Sequence, residues 1–182
     1  MNEERLWAPW RLGYVTGNEL AAEPILEPND WITGADQNCF LCRAAANYKP
    51  PTLADKRLLV ADRGDHSLVV LNRFPYNNGH LLISPRRHVG DLNTMSRAEH
   101  AECIELLARL TGIYRECLNA EGFNIGLNLG RVAGAGVPGH LHWHLVPRWA
   151  GDNNFMPVLA GTRVIPQSLD ALWELIVGAL AE

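Results

Sequence analysis

The sequence predicts an α+β fold: an antiparallel sheet of about five strands, a long helix packed on it, and a C-terminal helix. Three observations carry this. Short apolar runs separated by turn residues fill 58–85, a capping box opens an amphipathic run at Ser96, and from His140 onward histidine alternates with apolar residues. The chain has 182 residues, 47% of them hydrophobic, which suits one domain with a substantial core. It reads as a single unit over 1–182, with 1–55 as an N-terminal arm and 56–150 as the core.

The arm is poor in regular pattern and is interrupted by Pro9, Pro24, Pro28, Pro50 and Pro51. It holds three of the six tryptophans, Trp7, Trp10 and Trp31. Leu6-Trp7-Ala8-Pro9-Trp10-Arg11 is too aromatic for an idle tail and is expected to pack on the domain or on a second subunit. Arg5 and Arg11 have the charge to meet a phosphate there, although a single arginine ordinarily sits on a solvated face.

From Leu58 the pattern turns to strands: Leu58-Leu59-Val60-Ala61, then Ser67-Leu68-Val69-Val70-Leu71, with Arg63-Gly64-Asp65 between them as turn chemistry. The turn-rich 72–79 follows, then His80-Leu81-Leu82-Ile83-Ser84-Pro85 as a third strand, with His88 just beyond it. Ser96-Arg97-Ala98-Glu99 is a capping box. The helix it opens places Cys103, Leu106, Leu107, Leu110, Ile113, Tyr114 and Cys117 at three-and-four spacing, with Gly122 as its stop. Two more strands are expected, Phe123-Asn124-Ile125-Gly126-Leu127-Asn128 and the histidine segment. A final helix from about Gln167 should bury Leu169, Leu172, Leu175 and Ile176.

A net charge of −4 and the lack of any long block of Lys or Arg argue against a duplex nucleic-acid binder. A small anionic ligand needs only a local site and stays open. No stretch of about 18 apolar residues offers a membrane span, and Met-Asn-Glu-Glu-Arg does not read as a signal peptide. A soluble, cytoplasmic protein is expected. Cys103 and Cys117 lie on the apolar stripe of the helix and need no role beyond packing. Cys39-x-x-Cys42 reads as metal or redox chemistry before it reads as a structural disulfide.

The chemistry centres on Gly139-His140-Leu141-His142-Trp143-His144-Leu145-Val146-Pro147-Arg148. In a strand His140, His142 and His144 share one face, with neighbouring Cα atoms roughly 6.5–7 Å apart, while Leu141, Trp143 and Leu145 face the core. One reacting group can then touch two imidazoles. A metal cluster is a second reading, because neutral imidazole is a common zinc ligand. The preceding loop, 130–139, holds four glycines whose unobstructed amides suit an anion.

His140-Leu-His142-Trp-His144-Leu-Val resembles the histidine-triad (HIT) signature, with Pro147-Arg148 extending it. Leu71-Asn72-Arg73-Phe74-Pro75-x-x-x-Gly79-His80-Leu81-Leu82-x-x-Pro85 is similar to the family's second block, and the order of strands, helix and glycine loop matches from about Leu58 to Arg148. Leu6-Trp7-Ala8-Pro9-Trp10-Arg11, Phe123-Asn124-x-Gly126-x-Asn128-x-Gly130 and Pro147-Arg148-Trp149-x-Gly151-Asp152-x-Asn154-Phe155 resemble the branch of dinucleoside polyphosphate phosphorylases and hydrolases.

The resemblance implies a HIT-like fold, a homodimer, and cleavage at a nucleotide α-phosphate, as in diadenosine tetraphosphate. It makes His142 the nucleophile that forms a nucleotidyl-histidine, with water or inorganic phosphate as acceptor and His144 bonding a phosphate oxygen. It assigns Asn72 to the ribose, Asn128 to the α-phosphate, the loop amides around Gly136 to phosphate, and His80 to the support of the triad. Cys39, Cys42, His88 and His140 resemble the zinc set of galactose-1-phosphate uridylyltransferase, a closed structural site.

Two departures stand out. The loop has no Gln or Ser side chain for phosphate, and the third triad position is His144 where the uridylyltransferases have glutamine, which argues against transfer between sugar phosphates. The alternatives are a nucleoside phosphoramidate hydrolase, a metal-dependent hydrolase built on the three histidines, and a nonenzymatic zinc-stabilised nucleotide-binding protein.

Overall fold

The computed structural model describes residues 26–152 and 164–181. The tryptophan-bearing stretch 6–11, Arg5, and the end of the last family motif at Asn154 and Phe155 lie outside the described residues. In chain order come α1 (Phe40–Ala45), α2 (Pro51–Leu58), β1 (Val60–Arg63), β2 (Ser67–Leu71), β3 (Leu81–Pro85), α3 (Arg97–Leu118), β4 (Gly122–Leu127), β5 (Trp143–Arg148) and α4 (Leu169–Leu180). The five strands form one antiparallel sheet in the order β1-β2-β3-β5-β4. β2 and β3 are buried along their whole length, as continuous apolar runs require. β1 and β4 are the edge strands, and β4 is partly exposed. Among the described residues no helix is long and apolar enough to cross a membrane.

α1 and α2 fall in the arm that reads as irregular. α1 has six residues, too few to show a helical period, and has no side-chain cap. α2 begins with Pro51 at its first turn, where a proline's missing N–H costs nothing; a residue that reads as a breaker is here a starter. Leu58 ends this helix, and Leu59, left-handed at φ 59°, turns the chain into β1 at Val60. The first strand therefore starts two residues later than expected.

α3 matches its signals at the start. Glu99 N–H donates to Ser96 Oγ at 3.2 Å and Ser96 N–H donates to Glu99 Oε2 at 2.6 Å. The helix ends at Leu118, not at Gly122, because Asn119 takes the left-handed cap at φ 51° and its N–H returns to Tyr114 O. Asn tolerates that region because its short polar side chain bonds locally. Cys103, Leu107, Leu110 and Tyr114 face the sheet, and α3 packs on β3 and β2. α4 packs on β1 and α3 through Leu172, Trp173 and Ile176. Leu175 is exposed, contrary to expectation, because at 100° per residue the stripe centred on Ile176 takes in Trp173 instead. Trp173 Nε1 donates to Val60 O at 2.7 Å.

Burial alone would raise the Glu99 carboxyl, but Arg87 and the Ser96 cap outweigh it and hold the group down at about 2. Arg87 reaches both carboxylate oxygens, at 3.0 and 2.9 Å. Glu99→Ala removes half of the capping box and this ion pair together. The expected cost is about 1–2 kcal/mol in urea denaturation, and a change below about 0.5 kcal/mol, the range of an ordinary surface substitution, would contradict it.

Candidate active site and metal cluster

β5 begins at Trp143, so His144 alone of the three histidines lies in a strand. The lead-in is diverted. His140 N–H turns back to Val137 O at 3.1 Å, and Leu141 N–H donates to Val89 O at 2.7 Å instead of to β4. The expectation of three imidazoles spaced along one strand face is corrected accordingly: His140 and His142 are placed by the turn, and His144 by its cross-strand neighbours Leu82 and Gly126.

The hydrogen bonds assign each ring nitrogen. A carbonyl only accepts, so His142 Nδ1, 2.9 Å from His140 O, carries a proton, and in the neutral ring Nε2 has the lone pair. A backbone amide only donates, so His80 Nδ1, 3.1 Å from Tyr76 N, is an acceptor. Neutral His80 then holds its proton on Nε2 and donates it to His144 Nδ1 at 3.0 Å. Neutral His144 in turn carries its own proton on Nε2. Asn72 holds this chain from behind: its Oδ1 accepts from Phe74 N–H at 2.9 Å and its Nδ2 lies 3.2 Å from His80 Nδ1. The outcome is a nucleophilic nitrogen on His142 beside a donor on His144, with ring centroids 5.1 Å apart.

Burial, then the neighbouring His144 and His142, pushes His80 down to about 3, and burial followed by His142 lowers His144. His80 thus stays neutral near pH 7, as the relay requires. An imidazole in the unfolded chain titrates near 6.5, so between that pH and about 3 the unfolded chain binds the proton and the folded chain does not. This share of stability is complete above about pH 6.5 and is lost as pH falls toward 3. Melting temperature should fall between pH 7 and pH 5, and more steeply in the wild type than in His80→Gln; equal slopes would sink the assignment.

The second constellation joins three distant segments. Cys39 and Cys42 Sγ each lie 3.4 Å from His140 Nδ1, and Cys42 Sγ lies 3.1 Å from His88 Nδ1. All four ligand atoms lie within 4.8 Å of one another. A tetrahedral zinc with ordinary bond lengths sets its ligands roughly 3.3–3.8 Å apart, so the set fits with small adjustments. His140 Nε2 donates to Pro85 O at 2.8 Å, which leaves the Nδ1 lone pair facing the thiols. Close approach is built in, since a Cβ on Gly139 would stand 3.0 Å from His88 Nε2. Burial pushes the Cys42 thiol up to about 12, the opposite of what a bound cation does to a thiol. Because both nitrogens of His140 are engaged away from His142 and His144, one ion cannot take all three histidines.

Beside His144 a groove of about 450 Å³ is lined by Tyr76, residues 123–128 and Val146. Asn128 lies in this groove with His144, while Asn72 sits behind His80. Gly136 is exposed in the glycine loop. The amides of Ala133, Gly134 and Ala135 are spent on bonds to Gly130 O and Arg131 O within the loop, and that of Gly136 is not among them. The sequence reading missed Tyr76 and the carbonyls of Pro85 and His140. Main-chain groups carry no residue signature, and Tyr76 stands in a segment legible only as turn.

An antiparallel sheet that sets His142 and His144 side by side at the start of β5 is the arrangement expected of a histidine-triad protein. The HIT domain family model matches residues 55–151, and the chain belongs to that family. It is 38% identical over 166 residues to the AP-4-A phosphorylase of Mycobacterium tuberculosis, spanning 91% of this chain and 78% of that protein. An adenosine 5′-monophosphoramidase of Schizosaccharomyces pombe is 29% identical over 82 residues, 45% of this chain and 58% of its own. Among solved structures, a zinc-bound histidine-triad family protein from Mycobacterium smegmatis superposes with a TM-score of 0.56 at 31% identity, over 68% of this chain and 84% of that one.

Proposed function

We propose that this protein is a phosphorylase or hydrolase that cleaves dinucleoside polyphosphates, such as diadenosine tetraphosphate, at the α-phosphate. The observation that carries the reading is the His142 Nε2 lone pair set beside the His144 Nε2–H. His142 Nε2 attacks the α-phosphorus, the N–P bond forms, and the bond from that phosphorus to the bridging oxygen breaks. The departing nucleoside polyphosphate takes the electron pair. His144 donates to a phosphate oxygen as charge develops, helped by loop amides including that of Gly136. An oxygen of inorganic phosphate or water then attacks the same phosphorus and frees His142. Asn72 holds the ribose and Asn128 the α-phosphate. The similarity to an AP-4-A phosphorylase supports this substrate class.

Cys39, Cys42, His88 and His140 hold zinc in this reading, supported by their convergence and by the zinc-bound relative. Bound there, the metal supplies a structural cross-link with no position left for substrate. The protein acts as a homodimer.

Product analysis of diadenosine tetraphosphate with and without inorganic phosphate tests the proposal. ADP plus ATP formed only with phosphate identifies a phosphorylase, and AMP plus ATP in either condition identifies a hydrolase. Turnover of adenosine phosphoramidate with none of the dinucleotide would overturn the substrate assignment.

A further inference from the structure

The groove continues past His144. Tyr76, Asn124 and Val146 also line an adjoining hollow of about 400 Å³ that is completed by Pro75, Asn77 and Arg148. Tyr76 stands where the two meet. Its ring lies over His144, with centroids 5.6 Å apart and planes inclined by 23°, and 4.6 Å from the ring of His80. Even so, the residue remains 51% exposed. The ring rests on the imidazoles of His80 and His144 and borders both hollows.

The adjoining hollow is not built for a phosphate. Its cation, Arg148, already bonds both oxygens of Asp152 and, at 2.7 Å, Asn124 Oδ1. With that charge compensated, and the Asn77 amide bonded to Pro147 O, Asp152 and the Asn78 N–H, the hollow offers an aromatic face and the apolar surfaces of Pro75 and Val146. That is the chemistry of a flat, uncharged heterocycle, and base stacking on an aromatic ring tolerates any base.

We propose that Tyr76 is the stacking platform for the nucleobase of the departing half of the substrate, so that the site prefers two-ended dinucleoside polyphosphates over nucleotides with a single nucleoside. This rests on the α-phosphate cleavage reading and adds a specificity residue to it. The Tyr76 amide that orients His80 belongs to the main chain, so side-chain variants keep it.

The test compares the KM for diadenosine tetraphosphate with the inhibition constant of adenosine 5′-tetraphosphate, which has the same phosphate chain and lacks the second nucleoside. Tyr76→Ala and Tyr76→Leu, the latter keeping bulk against His144 without an aromatic face, should each raise the dinucleotide KM about tenfold, toward the low end for loss of one stacked base. The inhibition constant should move less than about twofold, and Tyr76→Phe should retain the wild-type preference. Equal changes for both ligands would show that the ring supports His144 or the half of the substrate common to both ligands, and would overturn the inference while leaving α-phosphate cleavage intact. A wild-type chain that neither cleaves nor binds either nucleotide would defeat the underlying reading as well.

Discussion

His142→Ala is expected to abolish turnover, with kcat reduced about 10⁴-fold or more, while nucleotide affinity should change only a few fold. The reason lies in the ring assignments. His142 is the histidine whose free nitrogen is neither held by a carbonyl nor given to the cysteine cluster, and His140 O orients it from 2.9 Å away. Alanine leaves no other lone pair in that place, because His144 presents a donor and His140 spends Nε2 on Pro85 O. His144→Ala should cost less, about 10²–10³-fold, the usual loss for one donor to a developing oxyanion. Single-turnover kinetics check both, and near wild-type rates in His142→Ala would remove covalent catalysis at that position.

If Cys39, Cys42, His88 and His140 hold zinc as proposed, its removal is expected to have the largest effect on stability. Cys39 and His140 are 101 residues apart and Cys42 and His88 are 46 apart, so the cluster cross-links α1, the segment after β3 and the lead-in to β5. Metal binding of this kind is folding free energy. Chelation, or Cys39→Ser, should lower the melting temperature by roughly 10 °C or more, given about 2–4 °C per kcal/mol for a chain of this size. Activity should decline with the folded fraction and return when zinc is restored, whereas a catalytic metal would take turnover away without melting the chain. Elemental analysis finding well under one metal per chain, together with an unmoved melting temperature, would refute the four-ligand site.

What could be read from sequence rests on interactions that close within a few residues. Ser96 and Glu99 are three apart, so the start of α3 is legible, and its apolar stripe follows from the helical period. The buried runs of β2 and β3 announce themselves in the same way. The alternating histidines and Cys39-x-x-Cys42 mark chemistry by residue type, and resemblance to a family joined them to His88.

Where cues were silent or misleading, contacts from elsewhere decided. Leu59 and Asn119 cap helices in a conformation usually left to glycine. Pro51 starts a helix that it seemed to forbid. β5 begins late because Val89, 52 positions away from Leu141, captures an amide that local alternation would have assigned to a strand ladder. The ring assignments are of this kind too, since His80 meets His144 across 64 residues. By itself, the sequence determined the elements whose hydrogen bonds and periodicities are local, and the residue types available for chemistry. Only the tertiary structure decided which nitrogen holds a proton, which bears a lone pair, and that Tyr76 lies over His144, because each depends on groups brought together by the packed sheet.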